Sequence, residues 1–128
     1  MGTPLRSIGQ IAIRTHDLPA AIAFYRDKLA LDFLFEAGDL AFFMCEDVRL
    51  MLAVPENPEA DHPSSILYFR VDDIEGAHRE LGDRGVPFDD EPQLIARMPD
   101  HDLWMAFFRD PDRNLLGLMA EVRPPASP

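Results

Sequence analysis

Residues Ile8 to Arg14 alternate between apolar and polar in the period of a strand. Asp17 then offers a helix cap and Pro19 suits a first helical turn, which predicts a helix over Ala20–Leu29 with Ile22, Phe24, Tyr25 and Leu29 as its apolar positions. Three short strands follow in the pattern, Leu31–Glu36, Leu40–Cys45 and Val48–Val54, separated by Gly38-Asp39 and Glu46-Asp47. Residues 55–64, PENPEADHPS, read as a solvated connection. The order then repeats. Ile66–Val71 is a strand, and Asp72 with Glu75 three positions on resembles a capping box opening a helix that ends near Gly85. A less regular strand is expected near Val86–Phe88 or Gln93–Met98, with Ile95–Pro99 a mobile-looking segment suited to a lid. Leu103–Arg109 and Leu115–Glu121 flank a turn of turn formers, Asp110-Pro111-Asp112-Arg113-Asn114.

The repetition extends to individual residues. At an offset of 56, Ile13 falls on Phe69, Arg14 on Arg70, Asp17 on Asp73, Leu18 on Ile74 and Ala21 on Ala77. Ala41-Phe42-Phe43 recurs as Ala106-Phe107-Phe108, and Leu50-Met51-Leu52 as Leu116-Gly117-Leu118. The chain therefore reads as one α+β domain of two tandem βαβββ modules, at about 8–54 and 65–121, with a linker at 55–64 and a tail at 122–128. Two similar halves in a small chain suggest a shared cleft. Strand parity assigns the faces. Ile11 and Ile13 should lie under a helix, while Gln10, Ala12 and Arg14, then Arg49, Met51 and Ala53, Ile66, Tyr68 and Arg70, and Leu115, Gly117 and Met119 should line the open side.

Composition narrows the partners. A length of 128 residues fits a single self-sufficient core. A formal net charge of −11 argues against nucleic acid and against an anionic membrane surface. It suits a cationic guest, although a solubilising surface is its plainer use. Cys45 is the sole cysteine, which excludes an internal disulfide and a cysteine-rich zinc site. MGTPLRSIGQ lacks the apolar run of a signal peptide and no stretch is long enough to span a bilayer, so the expected location is the cytoplasm. The tail Arg123–Pro128 is expected to be disordered.

Among the four histidines, His16 borders the first helix, His62 lies in the linker and His78 is expected on the wet face of the second helix. His101 leads through Asp102-Leu103 to Trp104 and a lining strand, where an imidazole could serve as acid or base. Arg14, Arg70 and Arg49 could fork a carboxylate or phosphate, or pair with neighbouring acids at the rim. Met51, Met119, Tyr68 and Trp104 read as core or pocket wall, parity leaving open which of Trp104 and Met105 points inward. Cys45 has no accompanying base and reads as a structural thiol.

Asp17-Leu18 through Phe24-Tyr25, Val71-Asp72-Asp73, and the run Phe107-Phe108-Arg109-Asp110-Pro111-Asp112-Arg113-Asn114 together resemble the vicinal oxygen chelate superfamily. This is the family of glyoxalase I, extradiol dioxygenases and bleomycin-resistance proteins. The resemblance covers about residues 8–121, and the last run is similar to the family's FF-x-DPDGN turn with Arg113 where glycine is usual. It implies paired βαβββ modules whose mixed sheets curl around a cavity, commonly in a homodimer. It also implies a metal held by His, Gln or Glu at four strand positions, which fall here on Gln10, Ile66, Met51 (Leu50 if the register slips by one) and Gly117. Only Gln10 is a donor of the expected kind, and a hard divalent ion needs several N, O or S ligands at about 2 Å. No cofactor and no metal are therefore expected at the family site. A shifted register, a partner chain or a relocated acid or histidine would restore one. An arginine at the place of Arg14 helps bind the glutathione carboxylate in glyoxalase-like members.

Two functions follow as expectations. One is a bleomycin-resistance-like protein that binds a small organic molecule in the inter-module cavity without the family metal. The other is a glyoxalase-like lyase, isomerase or dioxygenase with a non-standard or relocated metal site.

Overall fold

In the computed structural model, which describes residues 2–124, the chain divides into two compact units between Ser65 and Ile66. The first holds β1 (Gln10–Arg14), α1 (Leu18–Ala23), a π-helical turn (Phe24–Lys28), β2 (Asp32–Ala37), β3 (Leu40–Cys45) and β4 (Val48–Ala53). The second holds β5 (Leu67–Arg70), α2 (Ile74–Asp83), β6 (Gln93–Arg97), β7 (Asp102–Arg109) and β8 (Leu115–Val122). Each forms a four-stranded mixed sheet, ordered β1-β4-β3-β2 and β5-β8-β7-β6, with the first strand parallel to the last. The α+β class and the tandem βαβββ order are as the sequence predicts. The repeat also survives at the level of register. Ala12 pairs with Met51 in one sheet, and Tyr68 pairs with Gly117 in the other. Among the described residues no helix is long and apolar enough to cross a membrane.

Each helix is started by an aspartate. The Asp17 carboxylate accepts from the Ala20 N–H at 3.2 Å, and Asp73 accepts from the Gly76 N–H at 3.1 Å. The cap of α2 is thus Asp73 and not Asp72. A cap oxygen reaches the N–H three residues on, and Asp73 is the repeat mate of Asp17. The expected continuous helix over Ala20–Leu29 is also corrected. α1 stops at Ala23, and the Leu29 N–H reaches back five residues to the Phe24 carbonyl at 3.0 Å. The wider turn sets the adjacent rings of Phe24 and Tyr25 both in the core, edge to face at 5.4 Å.

The helix side of the first sheet buries Ile13, Ala41, Phe43, Leu50 and Leu52, and that of the second buries Ala106, Phe108, Leu116, Leu118 and Ala120. Several second-half expectations change. Of the two places expected for the less regular strand, Gln93–Met98 holds as the edge strand β6, while Val86–Phe88 is no strand and Phe88 makes an isolated bridge to Phe108. The lid-like Ile95–Pro99 segment is mostly β6, paired to β7 with a bulge between Leu94 and Ala96. His78 does not face water freely: its ring lies 4.3 Å from that of Phe88, and its Nε2 is 3.2 Å from the Asp90 carbonyl. The supposed tail begins later than expected, since β8 runs to Val122 and Arg123 pairs with Asp100 at 2.7 Å; residues 125–128 lie outside the described residues.

The β7–β8 turn closes on Arg113 at φ 65°, in the left-handed region. A β-carbon is disfavoured there, and glycine is not. Arg113→Gly is expected to raise stability by about 0.5–1 kcal/mol, read as a higher urea midpoint at unchanged slope. A lower midpoint would show that the arginine side chain itself supports the turn.

Candidate functional site

Because α1 covers one face of the first sheet, the side chains of opposite parity stand uncovered. Strand register sets them in rows: Gln10 beside Arg49, then Ala12, Met51, Phe42 and Phe35, then Arg14, Ala53 and Leu40. The first two rows are joined by side-chain contacts. Arg49 Nε donates to Gln10 Oε1 at 2.7 Å, and Gln10 Nε2 lies 3.6 Å from Met51 Sδ. The Arg49 guanidinium sits 5.4 Å from the Phe42 ring centroid, and Phe42 stacks on Phe35 at 4.6 Å.

Next to these rows is an open recess of about 540 Å³. Its floor is Ala12, Leu40, Met51 and Ala53, and its wall is the connection from Pro55 to Ser65, including Glu56 and His62. Asp61 ties that wall down, accepting from Arg14 Nη1 at 2.9 Å and lying 2.7 Å from His16 Nε2. Those two bonds, His16 first, hold the Asp61 carboxyl below its ordinary pKa. Arg14, one of the expected anion-binding residues, is therefore matched to an internal acid. Its backbone N–H also donates to Ser64 Oγ at 2.9 Å.

In the second unit the uncovered face carries Tyr68 and Arg70 from β5, Gly117 and Met119 from β8, and Met105 and Phe107 from β7. Tyr68 and Phe107 meet edge to face at 5.9 Å over Gly117. A β-carbon at Gly117 would lie 3.1 Å from Phe107 and 3.2 Å from Tyr68. Ile66 and Tyr68 are 43 % and 45 % exposed. A smaller recess of about 240 Å³ on this face is walled by Asp89, Asp90 and Glu91 over Ile95, Met105 and Phe107.

Two expected lining residues stand elsewhere. Trp104 pairs with Ala120 and Leu94, which puts it on the helix side and Met105 on the open side. His101 lies by a separate recess of about 330 Å³ with Met98, Pro99 and Val122. Its Nδ1 is 2.7 Å from Asp100 and its Nε2 4.0 Å from Glu121. Hydrogen bonds from Arg123 and then His101 hold Asp100 at a pKa of about 2. Cys45 is no activated thiol, since burial and then Glu46 push its pKa up.

The family metal does not fit these residues. Ile66 and Gly117 bring no donor, the Gln10 oxygen is already bonded to a cation, and Met51 offers only a soft thioether. Among the described residues no three His, Cys, Asp or Glu side chains gather closely enough to hold an ion.

Sequence reading missed Phe42, Phe35 and Asp61. The parity of Leu40–Cys45 places Phe42 on the face of Met51 and would have found it. Phe35 is displaced by a bulge between Phe33 and Phe35, and Asp61 sits in a connection with no period to read.

A family model of the Glyoxalase/Bleomycin resistance protein/Dioxygenase superfamily matches residues 7–118, and the chain belongs to that superfamily. No curated protein matches it. Among solved structures, a lactoylglutathione lyase from Agrobacterium tumefaciens is 24 % identical at a TM-score of 0.72, with 92 % of this chain and 96 % of that one covered. TnmS3, an antibiotic binding protein from Streptomyces sp. CB03234, is 24 % identical at a TM-score of 0.75, with 94 % and 99 % covered. A superfamily member from Sphaerobacter thermophilus is 20 % identical at a TM-score of 0.77, with 91 % and 98 % covered. These likenesses establish a common fold.

Proposed function

We propose that the chain binds a small, partly aromatic organic molecule on its uncovered sheet faces and works without the family metal. One observation carries the reading: the oxygen of Gln10, the one donor of the expected kind, accepts a hydrogen bond from Arg49 at 2.7 Å. A divalent ion at that oxygen would sit against a fixed positive charge. The Tyr68–Phe107 pair occupies the space over Gly117, and the exposed Phe35 and Tyr68 with the half-buried Met51 offer the adaptable apolar contact that small-molecule sites use. The likeness to an antibiotic binding protein supports the same reading. The likeness to a lactoylglutathione lyase supplies no donor that this chain lacks.

Elemental analysis of protein purified without a chelating column is expected to find Zn, Ni, Fe and Mn well below one per chain. Calorimetry with planar aromatic compounds and a cationic glycopeptide is expected to give heat for at least one. Stoichiometric metal, or silence from every compound, would overturn the proposal. Restoring the family's acid should not restore the ion. Gly117→Glu is expected to bind no zinc in competition with a micromolar fluorescent chelator, and to lose about 1–3 kcal/mol of stability as Tyr68 is displaced. Zinc captured by this variant would show that enough donors remain.

The proposal places the protein in the cytoplasm as a homodimer. Phe33, Leu34 and Phe35 on the edge strand β2, 37 %, 44 % and 49 % exposed, supply apolar surface for a second copy. Sedimentation as a monomer at tens of micromolar would remove the dimer.

A further inference from the structure

We propose that the uncovered face of the first sheet is a site for an aromatic monocarboxylate. The Arg49 guanidinium holds the carboxylate, and Ala12, Leu40, Met51 and Ala53 carry the apolar body. The proposal rests on the ligand-binding reading above and names the class of ligand.

Charge inventory comes first. In a chain with 23 acids and 12 basic residues, arginines find acids easily. Arg14 pairs with Asp61, Arg26 with Asp27, Arg84 with Glu80, Arg97 with Asp102, Arg109 with Asp89 and Arg123 with Asp100. On the uncovered face of the first sheet, where Arg14 is matched to Asp61, Arg49 is held differently, by a neutral amide and an aromatic ring. Its Nε is committed to Gln10, while its two terminal nitrogens have no hydrogen-bond partner among the described residues. Those two N–H groups form the edge of the fork that matches a carboxylate. The guanidinium is held from two sides, by the Gln10 oxygen and by the Phe42 ring 5.4 Å away, so less side-chain freedom is lost on binding.

The neighbouring space decides the rest of the ligand. Arg49 lies two residues from Met51 along β4, about 7 Å at the rise of a strand, and Met51 is in the floor of the recess. That recess exists because Ala12 and Ala53 are small on a face where their neighbours include the larger Met51, Leu40 and Phe42. At about 540 Å³ it takes a fused bicyclic or tricyclic body. A second anionic group finds no matching cation at the far end, where Arg14 is bonded to Asp61 and Glu56 lines the wall. The net charge of −11 repels anions at long range, but salt screens it beyond about 8–10 Å. The local guanidinium then selects a single carboxylate.

The experiment uses matched probes, naphthalene-2-carboxylate and naphthalene-2-carboxamide, titrated calorimetrically into the full chain. The acid is expected to bind roughly tenfold tighter than the amide. Arg49→Met should erase that preference, and Arg49→Lys, which keeps the charge without the fork, should retain part of it. Ala12→Phe fills the recess and should abolish binding of both probes with the thermal midpoint little changed. Equal binding of acid and amide, both lost in Ala12→Phe, would overturn the role of Arg49 and leave the ligand-binding reading standing. Binding that ignores Ala12→Phe, or no binding of either probe, would overturn the inference itself. The ligand-binding reading falls separately, on stoichiometric metal in the purified protein or on silence from every compound in its own panel.

Discussion

Truncating Phe43 to alanine is expected to cost about 3–5 kcal/mol, the range for removing a fully buried aromatic ring. Phe43 is completely buried, with its ring centroid 6.1 Å from that of Tyr25 and 5.3 Å from that of Phe33. It pairs across β3–β4 with Leu50, another core residue. The ring joins the π-helical turn to the sheet, and three sides of the vacancy would be rigid aromatic or strand atoms unable to collapse inward. Its neighbour gives the internal control. Phe42 lies on the uncovered face with Arg49 above it, so Phe42→Ala is expected to cost about 1–1.5 kcal/mol, as fits a ring only partly removed from water. It should weaken carboxylate binding instead. Urea unfolding followed by far-ultraviolet circular dichroism reads both. Equal losses for the two variants would mean that the parity assigned to β3 is wrong.

Asp110→Ala is expected to cost about 3 kcal/mol, through unsatisfied donors and not through lost packing. Asp110 is buried at the head of the β7–β8 turn. One oxygen accepts from the backbone N–H groups of Asp112 and Asn114, each at 2.9 Å, and the other accepts from Asn114 Nδ2 at 2.8 Å. Deleting the carboxylate strands these donors in a confined place that water reaches poorly, and donors to an ionised acceptor make the stronger bonds. Asp110→Asn keeps the shape but presents an amide hydrogen to at least one of the same donors, so it should recover less than half of the loss. A loss below 1 kcal/mol for Asp110→Ala would show that solvent replaces the carboxylate.

The fold was legible because its signals are local and duplicated. Alternation marked the strands, Asp17 and its mate Asp73 marked the helix starts, and the repeat of Leu50-Met51-Leu52 at Leu116-Gly117-Leu118 matched strands that occupy the same place in each sheet. Where local rules competed, the repeat was the better guide. The capping-box pattern chose Asp72 although the offset already named Asp73. The π-helical turn was not readable, because the ladder shifts by one only to bury both Phe24 and Tyr25.

The candidate site divides along the same line. Parity correctly put Gln10, Arg14, Arg49, Met51, Tyr68 and Met119 on uncovered faces, because side chains must alternate along any strand. It could not say what each polar end would meet. Arg14 and Arg49 look alike in the sequence, yet Arg14 is neutralised by Asp61 from the connection and Arg49 is bonded to Gln10 and Phe42. Trp104 went to the helix side because register with Ala120 placed it there. Covalent order and alternation thus determined the modules, the strands and the face on which each strand residue stands. That Arg14 meets an acid while Arg49 meets an amide was settled only by folding, because an ion pair depends on the distance between atoms far apart in the chain.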